Sequence, residues 1–308
     1  MPTSRSTVGA FVAGALIGVP STLGVVIGNQ INRARRHGFL PLPEYDVDLR
    51  VSPPWVDGDV LSVAFLGDSL VAGVGAPLAE QSLPAQTAYR LAAHLGRPVH
   101  MRGHGVASSR IEHVIAEQVP ELDHSVDLVV VLVGANDATR AANPREFGRR
   151  VDHLTTEAST RTGGAPVVFM GIPPLSTAPL LAWPLKGVAG LVGDALHLVQ
   201  RRVSCSHPGA RYIDVRSAVF QDFATMSRRL FSADGYHPNP AGYAVLAEAV
   251  ASALADLLVE EFAQTTRHGG RGEGPGEAEW PAPSSAVHLP PTEHYEPGIP
   301  PPTLVDAA

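Results

Sequence analysis

The sequence predicts a three-layer αβα sandwich around a central, mostly parallel five-stranded sheet, and three observations carry that prediction. Short β-branched runs without polar alternation, residues 61–66 and 127–133 above all, read as strands buried on both faces, as parallel strands are. Segments of helical pattern separate them, and such alternation places helices on both faces of a parallel sheet. Gly, Asp and Asn then close the strands abruptly, at the carboxyl edge where open α/β sheets bind ligands.

Composition narrows the possibilities. The chain has 308 residues, 44% hydrophobic and 17% charged, enough for a sizeable core and too apolar for global disorder. Its formal net charge of −7, with basic charge almost wholly from arginine, argues against a nucleic-acid surface. The single cysteine, Cys205, excludes an internal disulfide and CxxC zinc spacing. The fold therefore rests on its core, and the redox compartment stays open.

At the amino end, residues 6–32 carry no charge, and residues 8–27 are apolar enough and long enough to span a bilayer. Residues 1–37 are read as a hydrophobic membrane or signal segment with a basic flank. An uncleaved membrane segment is preferred, because no convincing A-x-A site follows. Arg33, Arg35 and Arg36 after the segment, against Arg5 before it, place the following domain in the cytoplasm by the positive-inside count. A leading segment of this kind is nevertheless the usual mark of export, and export to the cell envelope or anchoring there is the expectation.

Residues 38–57, with Pro41, Pro43, Pro53 and Pro54, read as an extended linker. Strand 61–66 follows, then a Gly/Pro loop, a helical pattern over 85–95, and a short strand at 99–101. Ser109 and Glu112 have capping-box spacing and open a helix to about Gln118. After strand 127–133 come a helix over 144–160, ending before Gly163-Gly164, a strand at 167–170, a helix near 188–203 and a strand at 211–215. Asn239-Pro240 supplies an N-cap followed by Pro at the first helical position, leading a long helix to about Phe262. One domain, residues 58–262, results. Residues 263–308 are rich in Gly and Pro and read as a disordered tail. There are no internal repeats.

Four short blocks stand at strand ends or helix starts, in this order: Gly67-Asp68-Ser69-Leu70, Gly103-His104-Gly105, Gly134-Ala135-Asn136-Asp137, and Asp234-Gly235-Tyr236-His237. Each is weak alone, since Gly, Asn and Asp favour turns anyway. Together they resemble the SGNH hydrolases, the GDSL esterase/lipase family, over about residues 60–258. The resemblance implies a flavodoxin-like SGNH hydrolase fold and a serine esterase or lipase.

It also implies roles. Ser69 is the nucleophile, which needs a base because a serine hydroxyl is a poor nucleophile at neutral pH. His237 is that base, and Asp234 orients it. The oxyanion donors are the Ser69 amide, the Gly105 amide and the Asn136 side chain. Gly103 is a rival to Gly105, because the second block reads Met-Arg-Gly-His-Gly where much of the family has Asn or Ser ahead of its glycine. Asp68 and Asp137 are read as structural, Asp137 within its own turn, and His104 as a surface residue. No metal and no cofactor are assigned, since His94, His100, His113 and His153 lack ligand spacing. Gly73-Val74-Gly75 lacks the G-K-[ST] of a phosphate loop, and no G-x-S-x-G elbow occurs.

The expected substrate is a small-molecule or lipid carboxylic ester of short to medium acyl chain. Alternatives are an acyltransferase or carbohydrate deacetylase of the cell envelope, or a catalytically silent, membrane-tethered binding domain. Leu175, Leu180, Leu181 and Trp183 line an acyl pocket, face a membrane, or pack beneath a helix. The partners expected are the ester and a membrane, reached through the N-terminal segment, and not nucleic acid. Oligomeric state is not legible.

Overall fold

The computed structural model describes residue 30 and residues 40–43, 45–54, 56 and 58–268. The strands are β1 (Val47–Val51), β2 (Leu61–Gly67), β3 (Val99–Gly105), β4 (Leu128–Leu132), β5 (Val167–Phe169) and β6 (Ala210–Tyr212). They form one six-stranded sheet in the order β1-β3-β2-β4-β5-β6. All neighbours are parallel except β1, which runs antiparallel to β3.

The helices are α1 (Leu83–Leu95), α2 (Ile111–His113, continued by wider and tighter turns over Val114–Gln118 and Val119–Glu121), α3 (Ala135–Thr139), α4 (Pro144–Thr162), α5 (Leu185–Ser206), α6 (Val215–Thr225), α7 (Ser227–Leu230) and α8 (Pro240–His268). One layer, with α1, α6 and α8, packs on Val63, Phe65, Met101, Val130 and Val168. The other, with α4 and α5, packs on Ala64, Leu66, Val129, Val131 and Phe169. Alternate residues of each strand serve opposite layers, which is why β2 and β4 are buried along their whole length.

Local chemistry sets the helix starts. Asn143 Oδ1 accepts the amides of Arg145 at 2.9 Å and Glu146 at 3.3 Å, with Pro144 at the first helical position of α4. Asn239 caps α8 in the same way, accepting the Gly242 amide at 3.0 Å. A side-chain acceptor satisfies amides that have no partner inside the helix.

The mostly parallel sandwich is as the sequence predicts, with corrections. The sheet has six strands rather than five. Residues 38–57 are not simply a linker, because β1 pairs with β3 from Val47↔Gly103 to Val51↔Val99. Its alternating Val47, Leu49 and Val51 are the strand signal, and the prolines that masked it lie outside the strand. Tyr45 Oη, just ahead of β1, reaches the carbonyls of Gly73 and Ala76, each at 3.1 Å, so this stretch belongs to the domain. β3 runs on to Gly105, so the second glycine block closes a strand.

The capping box does not form on Ser109. Arg110 occupies the cap, its amide bonded to His113 Nδ1 at 3.2 Å, and Glu112 turns to Arg110 and Arg150. Val215 opens α6, a helix absent from the sequence reading, where a strand through Val215 was expected. The backbone of α8 continues past Phe262 to His268. The hydrophobic segment 1–37, except Gln30, and the tail beyond His268 lie outside the described residues.

Candidate active site

β2 delivers the Ser69 loop to the carboxyl edge of the sheet. Its last residue has no room for a side chain: a Cβ on Gly67 would lie 2.3 Å from the Leu132 carbonyl oxygen. The chain then turns tightly, with the Ala72 amide on the Asp68 carbonyl at 2.9 Å and the Val74 amide on the Ser69 carbonyl at 3.0 Å. Ser69 is buried at the head of that turn.

The loop before α8 brings the other two groups. Asp234 Oδ1 accepts the amides of Tyr236 at 2.9 Å and His237 at 3.0 Å. Its Oδ2 meets His237 Nδ1 at 2.6 Å, and His237 Nε2 lies 3.0 Å from Ser69 Oγ. Burial alone would raise the Asp234 carboxyl, but the hydrogen bonds from the His237 ring and from the two amides outweigh it and hold it below its usual value. An ionised carboxylate only accepts, so Nδ1 is the donor of that pair, and Nε2 is the ring atom on the serine hydroxyl.

Asn136 heads the short α3 beyond β4. Its Nδ2 donates to the Ser109 carbonyl at 3.1 Å and to Asp68 Oδ2 at 3.4 Å. Asp68 also accepts the Leu70 amide at 3.1 Å. Burial lifts its carboxyl to about 6, against the lowering effect of the Leu70 hydrogen bond and of His237. Asp68 therefore braces the turn and Asn136, while Asp234 is the carboxylate on the histidine.

Gly105 ends β3 opposite Gly67. A Cβ there would fall 2.1 Å from the Ala72 amide nitrogen, so β3 abuts the Ser69 turn through backbone alone. Gly103 faces Pro84 and Val47 instead. Ser108, three residues past Gly105, holds φ 68 in the left-handed region.

Two sequence readings change. Asp137 does not serve its own turn through its side chain: Oδ2 accepts the Ile111 amide at 3.1 Å, tying α3 to α2. His104 is half-buried, its Nε2 enclosed without a partner. His100 and His94 meet Asp48 and Glu248. Among the described residues no three His, Cys, Asp or Glu side chains group as metal ligands.

An apolar pocket opens beside Ser69, His237 and Asn136. Met170, Leu175, Val215, Val219, Phe223 and Leu246 supply its walls. The loop after β5 splits its apolar residues. Leu175 lines the pocket, Leu181 packs in the core, and Trp183 is exposed. Sequence reasoning missed the α6 wall. Its signal was present: Asp214 caps the helix, accepting the Ser217 amide at 3.1 Å, and Val215, Val219 and Phe223 recur every four residues.

The sandwich, with serine, histidine and aspartate hydrogen-bonded in series at its carboxyl edge, is that of an SGNH hydrolase. Residues 65–245 match the model of the GDSL-like Lipase/Acylhydrolase family, and the chain belongs to that family. A GDSL-like esterase of Mycobacterium tuberculosis is 26% identical over 198 residues, spanning 64% of this chain and 62% of that protein. An alpha/beta hydrolase enzyme from the metagenome of Lake Arreo, Spain, superposes with a TM-score of 0.51 at 19% identity, over 63% of this chain and 94% of its own. A GDSL-like lipase structure from Parabacteroides merdae gives 0.50 at 15% identity, over 63% and 94%. At these identities the two structures speak for the fold.

Proposed function

We propose that the protein is a serine esterase that hydrolyses carboxylic esters of short to medium acyl chain through an acyl-enzyme on Ser69. The observation that carries this reading is the series Ser69 Oγ, His237 Nε2, His237 Nδ1, Asp234 Oδ2, at 3.0 and 2.6 Å, opening on an apolar pocket. His237 Nε2 takes the Ser69 proton as Oγ attacks the ester carbonyl carbon. The tetrahedral oxyanion is met by the Ser69 amide, the Asn136 side chain and the Gly105 strand end. As the carbon–oxygen bond breaks, the imidazolium passes its proton to the departing alkoxide, and the alcohol leaves. Water, deprotonated by the same nitrogen, then attacks the acyl-enzyme and releases the acid, and Ser69 regains its proton. Asp234 holds the ring in register and offsets its charge in both halves.

Membrane anchoring or export to the cell envelope belongs to the same proposal, supported by the uncharged stretch 6–32. The test is direct. A fluorophosphonate probe labels the wild-type protein and leaves Ser69→Ala unlabelled, and p-nitrophenyl esters from acetate to octanoate are hydrolysed. A folded wild-type protein that neither labels nor turns over these esters overturns the reading.

A further inference from the structure

Beyond the pocket, the loop after β5 leads through Trp183 into α5, and the outer face of this helix carries no packing partner among the described residues. Trp183 is 77% exposed, Leu191 59% and Leu198 63%. Isolated apolar residues on a surface need no explanation, but these fall on one line. Leu191, Ala195, Leu198 and Arg202 follow at helical spacing along one face, and the Trp183 ring lies beside Gly187 one turn before Leu191. Beside its far end runs a groove between α4 and α5, lined by Arg145, Arg149 and Arg202 against Asp152. Arg149 is paired with Glu146, whereas neither Arg145 nor Arg202 has a carboxylate partner among the described residues. Asp194, the carboxylate nearest the stripe on α5, is taken by Arg216. A chain of net charge −7 thus sets a local excess of arginine beside an exposed apolar line.

We propose that this face of α5, with Trp183, docks on an anionic lipid bilayer and presents the pocket to esters carried in that bilayer. Apolar residues along one face with arginine at its end make an interfacial helix, the apolar side entering the acyl boundary and the guanidiniums meeting anionic headgroups. Two further observations agree. Gln30, three residues past the apolar stretch 8–27, donates from Nε2 to the Trp183 carbonyl at 2.6 Å, and its Oε1 accepts the Leu185 amide at 3.1 Å. Gln30 thus lies against the start of α5. The loop joining Trp183 to the catalytic edge also supplies pocket walls, Leu175 among them. This inference rests on the esterase reading for its substrate, but not for its surface.

The full-length chain is reconstituted in phosphatidylcholine vesicles with and without phosphatidylglycerol. It is assayed on soluble p-nitrophenyl acetate and on a long-chain ester held in the vesicle. The variants are L191Q/L198Q and R202E, both at exposed positions. The expected result is a loss of about tenfold or more on the vesicle-borne ester, with the soluble ester within twofold and the R202E loss confined to anionic vesicles. Equal losses on both esters, or none on either, overturn the proposal. A second readout needs no activity. In a W55F/W280F background, brominated lipids quench Trp183 fluorescence if the face is docked, and an unquenched Trp183 overturns docking even in an active enzyme. Copy-to-copy disulfides formed by L191C/C205S in vesicles, without quenching, would assign the face to a second chain and also overturn it. Quenching without ester hydrolysis would leave docking standing and remove the esterase reading.

Discussion

The side-chain amide of Gln118 closes on both backbone groups of Gly67. Oε1 accepts the Gly67 amide at 2.8 Å and Nε2 donates to the Gly67 carbonyl at 2.8 Å. A glutamine from the turn after α2 thus acts as one more strand neighbour at the point where β2 ends, two residues before Ser69. The Gly67 carbonyl also receives the Val106 amide at 3.1 Å, whereas its buried amide depends on Gln118. Gln118→Ala is expected to cost about 1–3 kcal/mol for the stranded donor. The melting temperature should fall by roughly 3–10 °C, and kcat should fall with it because the turn that carries Ser69, the proposed nucleophile, loses its anchor. An unchanged melting temperature would show that water replaces the glutamine.

Asp234→Asn removes the carboxylate that fixes which His237 nitrogen carries the proton. With an amide in its place, the ring can turn its protonated nitrogen toward Ser69. A kcat lower by about 10³–10⁴ is expected, with KM within a few fold. Steady-state kinetics on p-nitrophenyl acetate measure this. A loss under tenfold would mean that His237 is oriented by its other contacts.

Asn136→Ala should lower kcat by roughly 10²–10³ if the side chain donates to the oxyanion. Its Nδ2 is held by the Ser109 carbonyl at 3.1 Å, and donation to the oxyanion replaces the longer contact with Asp68 at 3.4 Å. Equal kcat values for variant and wild type would remove Asn136 from the site.

Asp68 and Asp234 respond oppositely to pH. The buried Asp68 carboxyl is raised from 3.8 to about 6, so its contribution to stability is fully present below pH 3.8 and is lost as pH rises through about 6. Asp234 is lowered, so its contribution is present above the ordinary aspartate value and lost on further acidification. Asp68→Asn should therefore flatten the stability profile between pH 4 and 6 and gain roughly 1–3 kcal/mol at pH 8. Chemical denaturation across that range measures the slope, and an unchanged slope in the variant would refute the assignment.

Val219→Phe narrows the pocket from the α6 side. Octanoate ester kcat/KM should fall by about tenfold or more, with acetate within threefold, because a few buried methylenes are worth that discrimination. Parallel loss on both esters would place the acyl chain elsewhere.

The candidate residues Ser69, Asp234 and His237 stand out in the sequence because the patterns that mark them are local. A strand ending in Gly-Asp-Ser, an Asp three residues before a His, and an Asn-Pro helix start are short-range patterns, and the structure brings Ser69, Asp234 and His237 into hydrogen-bonding series. The buried strands were legible for the same reason, since β-branched runs without alternation have one stable setting. β1 was not. It is short, flanked by prolines, and gains its pairing only from β3, which lies far along the chain. α6 was hidden because three spaced apolar residues do not separate a short helix from a strand and loop.

The sequence by itself determined the order of the elements and the chemical types of the groups in the site, because propensity, capping and residue chemistry act over a few positions. Tertiary structure decided which carboxylate does what. Asp68, adjacent to Ser69 in sequence, points to the Leu70 amide and Asn136, while Asp234 reaches the histidine, because a side chain's partner is set by where its strand or loop ends in the sheet. It also decided the pocket and the exposure of Leu191 and Leu198 on α5. Both depend on which surfaces meet once the layers pack.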